Sequence, residues 1–126
     1  MPEILHKELS YKVNGILFQV HNKLGRFCKH DQYCEAFESL LRENNIDFKR
    51  EIEIPIKFNE IKLTGNKLDF LIENKIVLDV KCKKEITTKD YVQMKRYLIA
   101  SDKELGIVVN FSENSLKPKR ILRKIK

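Results

Sequence analysis

Glycine and proline are scarce in this 126-residue chain, at four and three residues, cysteine occurs three times, and no long apolar run appears. Each scarcity removes a class of protein. Without a Pro/Gly/Ser-rich tract, a repeat or a low-complexity segment there is no candidate linker, so residues 1–126 read as one domain. Cys28, Cys34 and Cys82 are odd in number and form no CxxC pair, which argues against a disulfide framework and for a reducing compartment. Ile76-Val77-Leu78 and Ile107-Val108-Val109, the longest apolar candidates, are far short of the roughly 20 residues a membrane helix needs. The stretch Met1 to Glu8 alternates charged with apolar residues and lacks the apolar core of a signal peptide. The expectation is an intracellular, cytoplasmic protein.

What is present is charge. Lys and Arg number 25 against 18 Asp and Glu, a formal net charge of +7, in an otherwise ordinary globular composition of 42% hydrophobic and 34% charged residues. An excess of that size suits a polyanion such as nucleic acid, although a solvated basic surface gives the same average. Cys28, His30 and Cys34 raise the question of zinc. A structural zinc takes four ligands from paired spacings, and no second pair exists here, so small, partly buried thiols are the better reading.

Hydrophobic period divides the chain into elements. Val13, Ile16, Leu17, Val20 and Leu24 form a helical stripe from about Lys7 to Leu24, with Gly25 as the stop and His21 packing near the helix end. Tyr33, Ala36, Phe37, Leu40 and Leu41 make a second stripe ending near Asn44-Asn45. The period then drops to two. Ile52, Ile54, Ile56 and Phe58 predict one half-covered strand, with Pro55 marking an edge or a bulge, followed by a short strand at Ile61 to Leu63. Lys67 to Glu73 and Lys75 to Lys81 predict a central pair of strands joined at Asn74. Thr87-Thr88-Lys89-Asp90 opens a helix running to about Ser101, Leu105 to Phe111 is a buried strand, and Lys117 to Lys126 is a short strand or helix with six basic residues. Helices, a strand meander, then helix and strand describe an α/β or α+β domain.

Chemistry concentrates on the central pair. Asp79 and Lys81 are two apart on a strand and share a face, and an acid and a base on the face of an otherwise apolar strand need each other or a ligand. About the Asn74 turn, Asp69 and Asp79 are equidistant in sequence, which sets two carboxylates across from each other. Facing carboxylates repel, and a divalent cation relieves the repulsion. So few hard oxygen ligands suit Mg²⁺ or Mn²⁺, with water and phosphate completing the shell. A structural ion pair on a half-exposed sheet is the competing reading of the same three residues.

Asp69 followed by Asp79-Val80-Lys81 resembles the signature of the PD-(D/E)XK nucleases, and Gln93-Met94-Lys95-Arg96-Tyr97 resembles the QxxxY motif of their RecB-type branch. Leu9 to Lys12, Val20 to Gly25, Tyr33 with Glu35-Ala36, Phe48 to Pro55 and Ile107 to Phe111 extend the likeness, from about Leu9 to Leu122, to the small GxxExxY proteins of that superfamily. The resemblance implies a restriction-endonuclease-like core, a central mixed β-sheet flanked by helices in αα-βββ-α-β order. It implies a Mg²⁺- or Mn²⁺-dependent nuclease acting on DNA more than RNA. Asp69 and Asp79 would hold the metal with the carbonyl of Val80, Lys81 would orient the attacking water, and Gln93, Tyr97 and Tyr33 would support them. Lys83, Lys84, Lys89, Lys95 and Arg96 surround this segment as phosphate contacts. Phe27 and His30 stand where the family has its Gly and Glu, and only Tyr33 is retained. A helical wheel puts His30 on the side of Tyr33, Phe37 and Leu40 and turns Glu35 away, so His30 can face the strands; the resemblance to RecB-type nucleases implies it as a replacement metal ligand, an imidazole suited to Mn²⁺ or another transition metal, against the plainer reading of a polar group at a helix start. The alternatives are a catalytically lapsed nuclease fold that binds nucleic acid and a protein-interaction domain. Oligomeric state stays open, a dimer being required only for cutting both strands of a duplex.

Overall fold

The computed structural model describes residues 4–124; Met1 to Glu3 and the last two residues of the basic closing segment, Ile125 and Lys126, lie outside the described residues. Helix α1 spans Lys7–Leu24 and α2 spans His30–Glu43, followed by strands β1 (Phe48–Glu53), β2 (Ile56–Phe58), β3 (Ile61–Leu63), β4 (Lys67–Ile72) and β5 (Ile76–Lys81). Helix α3 (Thr88–Ser101), β6 (Leu105–Asn110) and β7 (Lys119–Leu122) complete the order. Five strands form one mixed sheet in the order β1-β4-β5-β6-β7, in which only the β5–β6 pair is parallel. The right side of this order matches the expected restriction-endonuclease-like architecture: a hairpin, a crossover helix and a parallel return strand.

Two apolar layers hold the sheet. Val13, Ile16, Leu17 and Val20 of α1 and Tyr33, Phe37 and Leu41 of α2 pack on Ile76, Leu78 and Val80 of β5 and on Ile107 and Val109 of β6. On the opposite face Met94, Tyr97 and Leu98 of α3 meet Val77 and Val108. Gly106 permits this second contact, since a Cβ there would stand 2.3 Å from the Met94 sulfur. The β4–β5 connection runs from Glu73 to Lys75 between the paired Ile72 and Ile76, with Glu73 and Asn74 in the left-handed region at φ 53° and 55° and the Lys75 N–H donating to Ile72 O at 2.9 Å. Asp90 builds the start of α3, accepting the backbone N–H of Thr87 at 2.8 Å.

Two expectations change. The single strand through Ile52 to Phe58 is broken at Pro55, which has no N–H to give a ladder. Its first half, β1, is an edge strand of the main sheet, and its second half, β2, pairs only with β3 in a separate hairpin. Strict alternation also fails along β4. Phe70 and Ile72 join the layer under α1 and α2, whereas Leu68, an even number of residues away, joins the layer under α3. The slip is at Asp69: the β1–β4 ladder skips from Arg50↔Phe70 to Ile52↔Leu68, with Glu51 between them in the left-handed region at φ 52°.

Candidate active site

The irregularity at Asp69 is what shapes the site. Pairing between β4 and β5 runs from Ile72↔Ile76 to Phe70↔Leu78 and stops there. Beyond it the backbone N–H of Val80 donates to Asp69 Oδ2 at 2.8 Å, a side-chain bond taking the place of the ladder. On β5 the even residues Ile76, Leu78 and Val80 are committed to the α1/α2 layer, so Val77, Asp79 and Lys81 face α3, as their spacing predicts.

Asp79 is only 5% exposed. Burial, reinforced by the neighbouring Asp69 charge and opposed by Lys81, pushes its carboxyl up to about 7. The Lys81 ammonium lies 3.0 Å from Asp79 Oδ2, off the axis of a good hydrogen bond, so that this buried oxygen has an ion-pair partner and no well-aligned donor. Lys81 instead donates to Gln93 Oε1 at 2.7 Å, with Asp90 Oδ1 3.8 Å away. Gln93 projects from α3, so the crossover helix that follows β5 folds back to fix the lysine.

His30 begins α2 and turns toward the sheet, its Nε2 3.4 Å from Asp69 Oδ2, while Glu35 is exposed as the wheel implies. Asp69, Asp79, Lys81, Gln93 and His30 therefore come together around one end of β4 and β5. Tyr97 is buried in the α3 layer, and burial followed by the Asp79 charge raises its phenol above the ordinary value, which puts it on the flank of the site. Tyr33 is elsewhere. Its ring stacks on Phe111 at 4.2 Å, and its hydroxyl donates to Gly25 O at 2.5 Å and accepts the Cys28 N–H at 3.2 Å, tying down the α1–α2 loop.

Three of the five expected phosphate contacts have other partners. Lys83 makes a two-pronged ion pair with Asp90 at 2.9 and 3.1 Å. Lys95 donates to the backbone carbonyls of Leu122 and Arg123, and Arg96 Nε donates to Asn66 Oδ1 at 3.1 Å. Lys84 and Lys89 are exposed and carry no ion pair among the described residues. Asp90 is the site residue that sequence reasoning missed: it reads as a helix cap, and the cap motif gives no sign that the same carboxylate also holds Lys83 and approaches Lys81.

The donor set fits a hard divalent cation in one specific respect. A buried carboxylate oxygen that has only the off-axis Lys81 ammonium beside it, next to a second carboxylate, is under-compensated for its burial, and a divalent cation would supply the rest. Among the described residues no group of three or more His, Cys, Asp or Glu is arranged to hold a metal unaided, so two carboxylates leave most positions to water and substrate oxygens, the usual arrangement for Mg²⁺. The thiols are not part of it. Cys34 is buried and its thiol is pushed up to about 12, chiefly by burial, and Cys28 and Cys82 sit half-buried at the margin of the first layer. A surface cavity of about 380 Å³ lined by Asp47, Phe48, Lys49, Leu71, Glu73 and Asn74 is at the turn end of β4, away from Asp69 and Asp79; of its two carboxylates Asp47 is exposed and Glu73 accepts the Asp47 N–H at 2.6 Å.

Comparison with known proteins agrees with the geometry. A family model described as the PD-(D/E)XK nuclease superfamily matches residues 7–124. The crystal structure of SSO0001 is similar with a TM-score of 0.59 at 23% identity, covering 76% of this chain and 50% of that one. The chain thus spans about half the length of that protein, and the likeness speaks for the fold. No curated protein matches the chain. No described helix is long and apolar enough to cross a membrane.

Proposed function

The chain belongs to the PD-(D/E)XK nuclease superfamily, and from that premise we propose that it is a Mg²⁺- or Mn²⁺-dependent nuclease hydrolysing phosphodiester bonds in DNA. In this reading it is an intracellular, RecB-type member of the GxxExxY kind, with residues 1–126 forming one nuclease domain. The observation that carries the proposal is the buried Asp79 carboxylate beside Asp69, whose Oδ2 has the Lys81 ammonium 3.0 Å away and no well-aligned hydrogen bond.

Asp69 and Asp79 would hold the cation with the Val80 carbonyl, and His30, whose Nε2 now contacts Asp69 Oδ2 at 3.4 Å, would join them as a further ligand only by turning from Asp69 to the ion. A divalent ion bound there supplies Lewis-acid stabilisation of the scissile phosphate and a water acidic enough to deprotonate near neutral pH. Lys81, kept in place by Gln93, points its ammonium at the same region and steadies negative charge developing on the phosphate oxygens. Tyr97, buried in the α3 layer on the flank, supports Asp79 and Lys81 from that side. Lys84, in the loop before α3, and Lys89, in its first turn, are exposed and carry no ion pair among the described residues, and they are available to neighbouring phosphates.

The test combines metal binding and cleavage. Calorimetric titration with Mn²⁺ should give a site that Asp79→Ala abolishes, and cleavage of plasmid and single-stranded DNA should be lost in Asp79→Ala and Lys81→Ala. Equal cleavage by the variants would assign the activity to another site or a contaminant. One observation favours a second reading, a nucleic-acid-binding module without catalysis: His30 occupies the family Glu position and already contacts Asp69. That reading expects DNA binding with no Mn²⁺ site. A protein-interaction domain expects neither.

A further inference from the structure

The β2–β3 hairpin is the part of the molecule that the core does not explain. None of its residues belongs to the buried members of either apolar layer, and Phe58 and Ile61 are 60% and 56% exposed. Cross-strand register pairs Ile56 with Leu63 and Phe58 with Ile61, so four apolar side chains share one face. The other face carries a single pair, Lys57 opposite Lys62. Directly opposed like charges destabilise a strand pair, and exposed apolar side chains gain nothing in water. Both faces are unsatisfied in the chain alone.

The hairpin is nevertheless anchored. At its base the Ile54 N–H donates to Asn66 O at 2.8 Å, and buried Asn66 is held in turn by Arg96 of α3. It leaves the main sheet between the end of β1 and the start of β4, two residues ahead of Asp69. The hairpin therefore projects from the same end of β4 as the carboxylates. The six residue steps from Ile61 to Lys67 reach at most about 20 Å at roughly 3.3 Å each. That is on the order of six base steps along a duplex at about 3.4 Å each.

We propose that the β2–β3 hairpin is a DNA wedge, in which Phe58 and Ile61 at the tip press on a base step of the duplex and Lys57 and Lys62 bind the flanking phosphates. The inference rests on the nuclease reading and extends it to how the substrate is held. Charge selects the occupant. A second copy of a +7 chain brings more positive charge to an already repelling lysine pair, whereas a polyanion relieves it and offers an apolar base step to the tip. Glu60, in the turn, is the one acidic side chain of the hairpin and works against phosphate approach.

The probe is a short duplex carrying 2-aminopurine, titrated by anisotropy and fluorescence with Ca²⁺ in place of Mg²⁺ to limit cleavage. The wild-type protein should raise 2-aminopurine fluorescence on binding. Phe58→Ala with Ile61→Ala should bind about tenfold more weakly and leave the fluorescence unchanged. Lys57→Ala with Lys62→Ala should lower the slope of log affinity against log salt by about 2, and Glu60→Gln should tighten binding. Because all these side chains are exposed, unchanged melting curves establish that the variants fold. If the apolar double variant binds with wild-type affinity and fluorescence, the wedge is wrong and the nuclease reading stands. If sedimentation shows a wild-type dimer that the same variant dissociates, the face is a protein contact and the wedge is overturned. If the wild type binds no DNA at all, both readings fall.

Discussion

Asp79→Asn should make the metal-free protein more stable at pH 8. The wild-type carboxyl is moved from 3.8 to about 7, by burial first and by Asp69 second, with Lys81 pulling the other way. At about 1.36 kcal/mol per pH unit, its ionised form costs the folded chain up to roughly 4 kcal/mol. An amide of the same shape removes that charge while Lys81 keeps its bond to Gln93. The amide must still find partners where Oδ2 has none, so the expected net gain is about 1–2 kcal/mol, or roughly 3–10 °C in Tm for a chain of this size.

The pH dependence gives the sign. The unfolded chain releases this proton near 3.8 and the folded chain near 7, so between these values the folded state binds more protons and loses stability as pH rises. Thermal melts of wild type and variant in EDTA should nearly coincide at pH 4 and separate progressively up to pH 7. Saturating Mn²⁺ should reverse the order, raising the wild-type Tm and leaving the variant where it was. A variant that melts lower than wild type at pH 8 in EDTA, or a gap of equal size at pH 4 and pH 8, would refute the claim that Asp79 is an uncompensated buried carboxylate.

Other perturbations test the frame around it. Gly106→Ala should cost about 1–3 kcal/mol in urea unfolding, because the new Cβ would lie 2.3 Å from Met94 Sδ; a neutral result would mean that α3 shifts freely on the sheet. Asp90→Asn should cost about 1–2 kcal/mol at pH 7 by removing the Lys83 ion pair. Burial alone would raise the Asp90 carboxyl, but the Thr87 N–H and Lys83 hold it below the ordinary value, so its stabilisation is present above about pH 4 and is lost as pH falls through the folded-state value. The gap between wild type and variant should accordingly close in acid, and a gap that persists at pH 2 would be inconsistent with this account. Tyr33→Phe should lose about 1 kcal/mol with no change in Mn²⁺ affinity, since its hydroxyl serves the α1–α2 loop; a weakened Mn²⁺ site would return Tyr33 to the supporting role its motif implies.

The helices and the β4–β5 hairpin were legible because their side chains follow a single period. Val13 to Val20 and Phe70 to Leu78 are buried in the pattern their spacing requires, and Asn74 sits in the turn that separates the two carboxylate strands. Partners across the fold were not legible. Lys83, Lys95 and Arg96 carry charge in the right stretch of sequence, but their partners are Asp90, two carbonyls near the chain end and Asn66. A basic residue near a motif reads as a phosphate contact until the packing shows which acceptor it has already taken. The same limit hid Asp90, whose capping role is local and whose hold on Lys83 is not.

Asp69 shows why symmetry about a turn is not enough to build a metal site. Perfect antiparallel register would pair Asp69 with Asp79 in a closed ladder and keep Leu68 on the same face as Phe70. Instead the ladder stops at Phe70↔Leu78, Leu68 crosses to the α3 layer, and Asp69 accepts the Val80 N–H that the ladder would have used. Glu51, at φ 52° in the middle of β1, is the backbone cost of that opening, since a residue with a Cβ disfavours the left-handed region. The defect frees the ends of two strands so that one carboxylate turns toward α2 and His30 while the other stays under α3 with Lys81. The left-handed Glu51 and the unpaired backbone at Asp69 are therefore two sides of one irregularity, and the +7 average that suggests a polyanion says nothing about it.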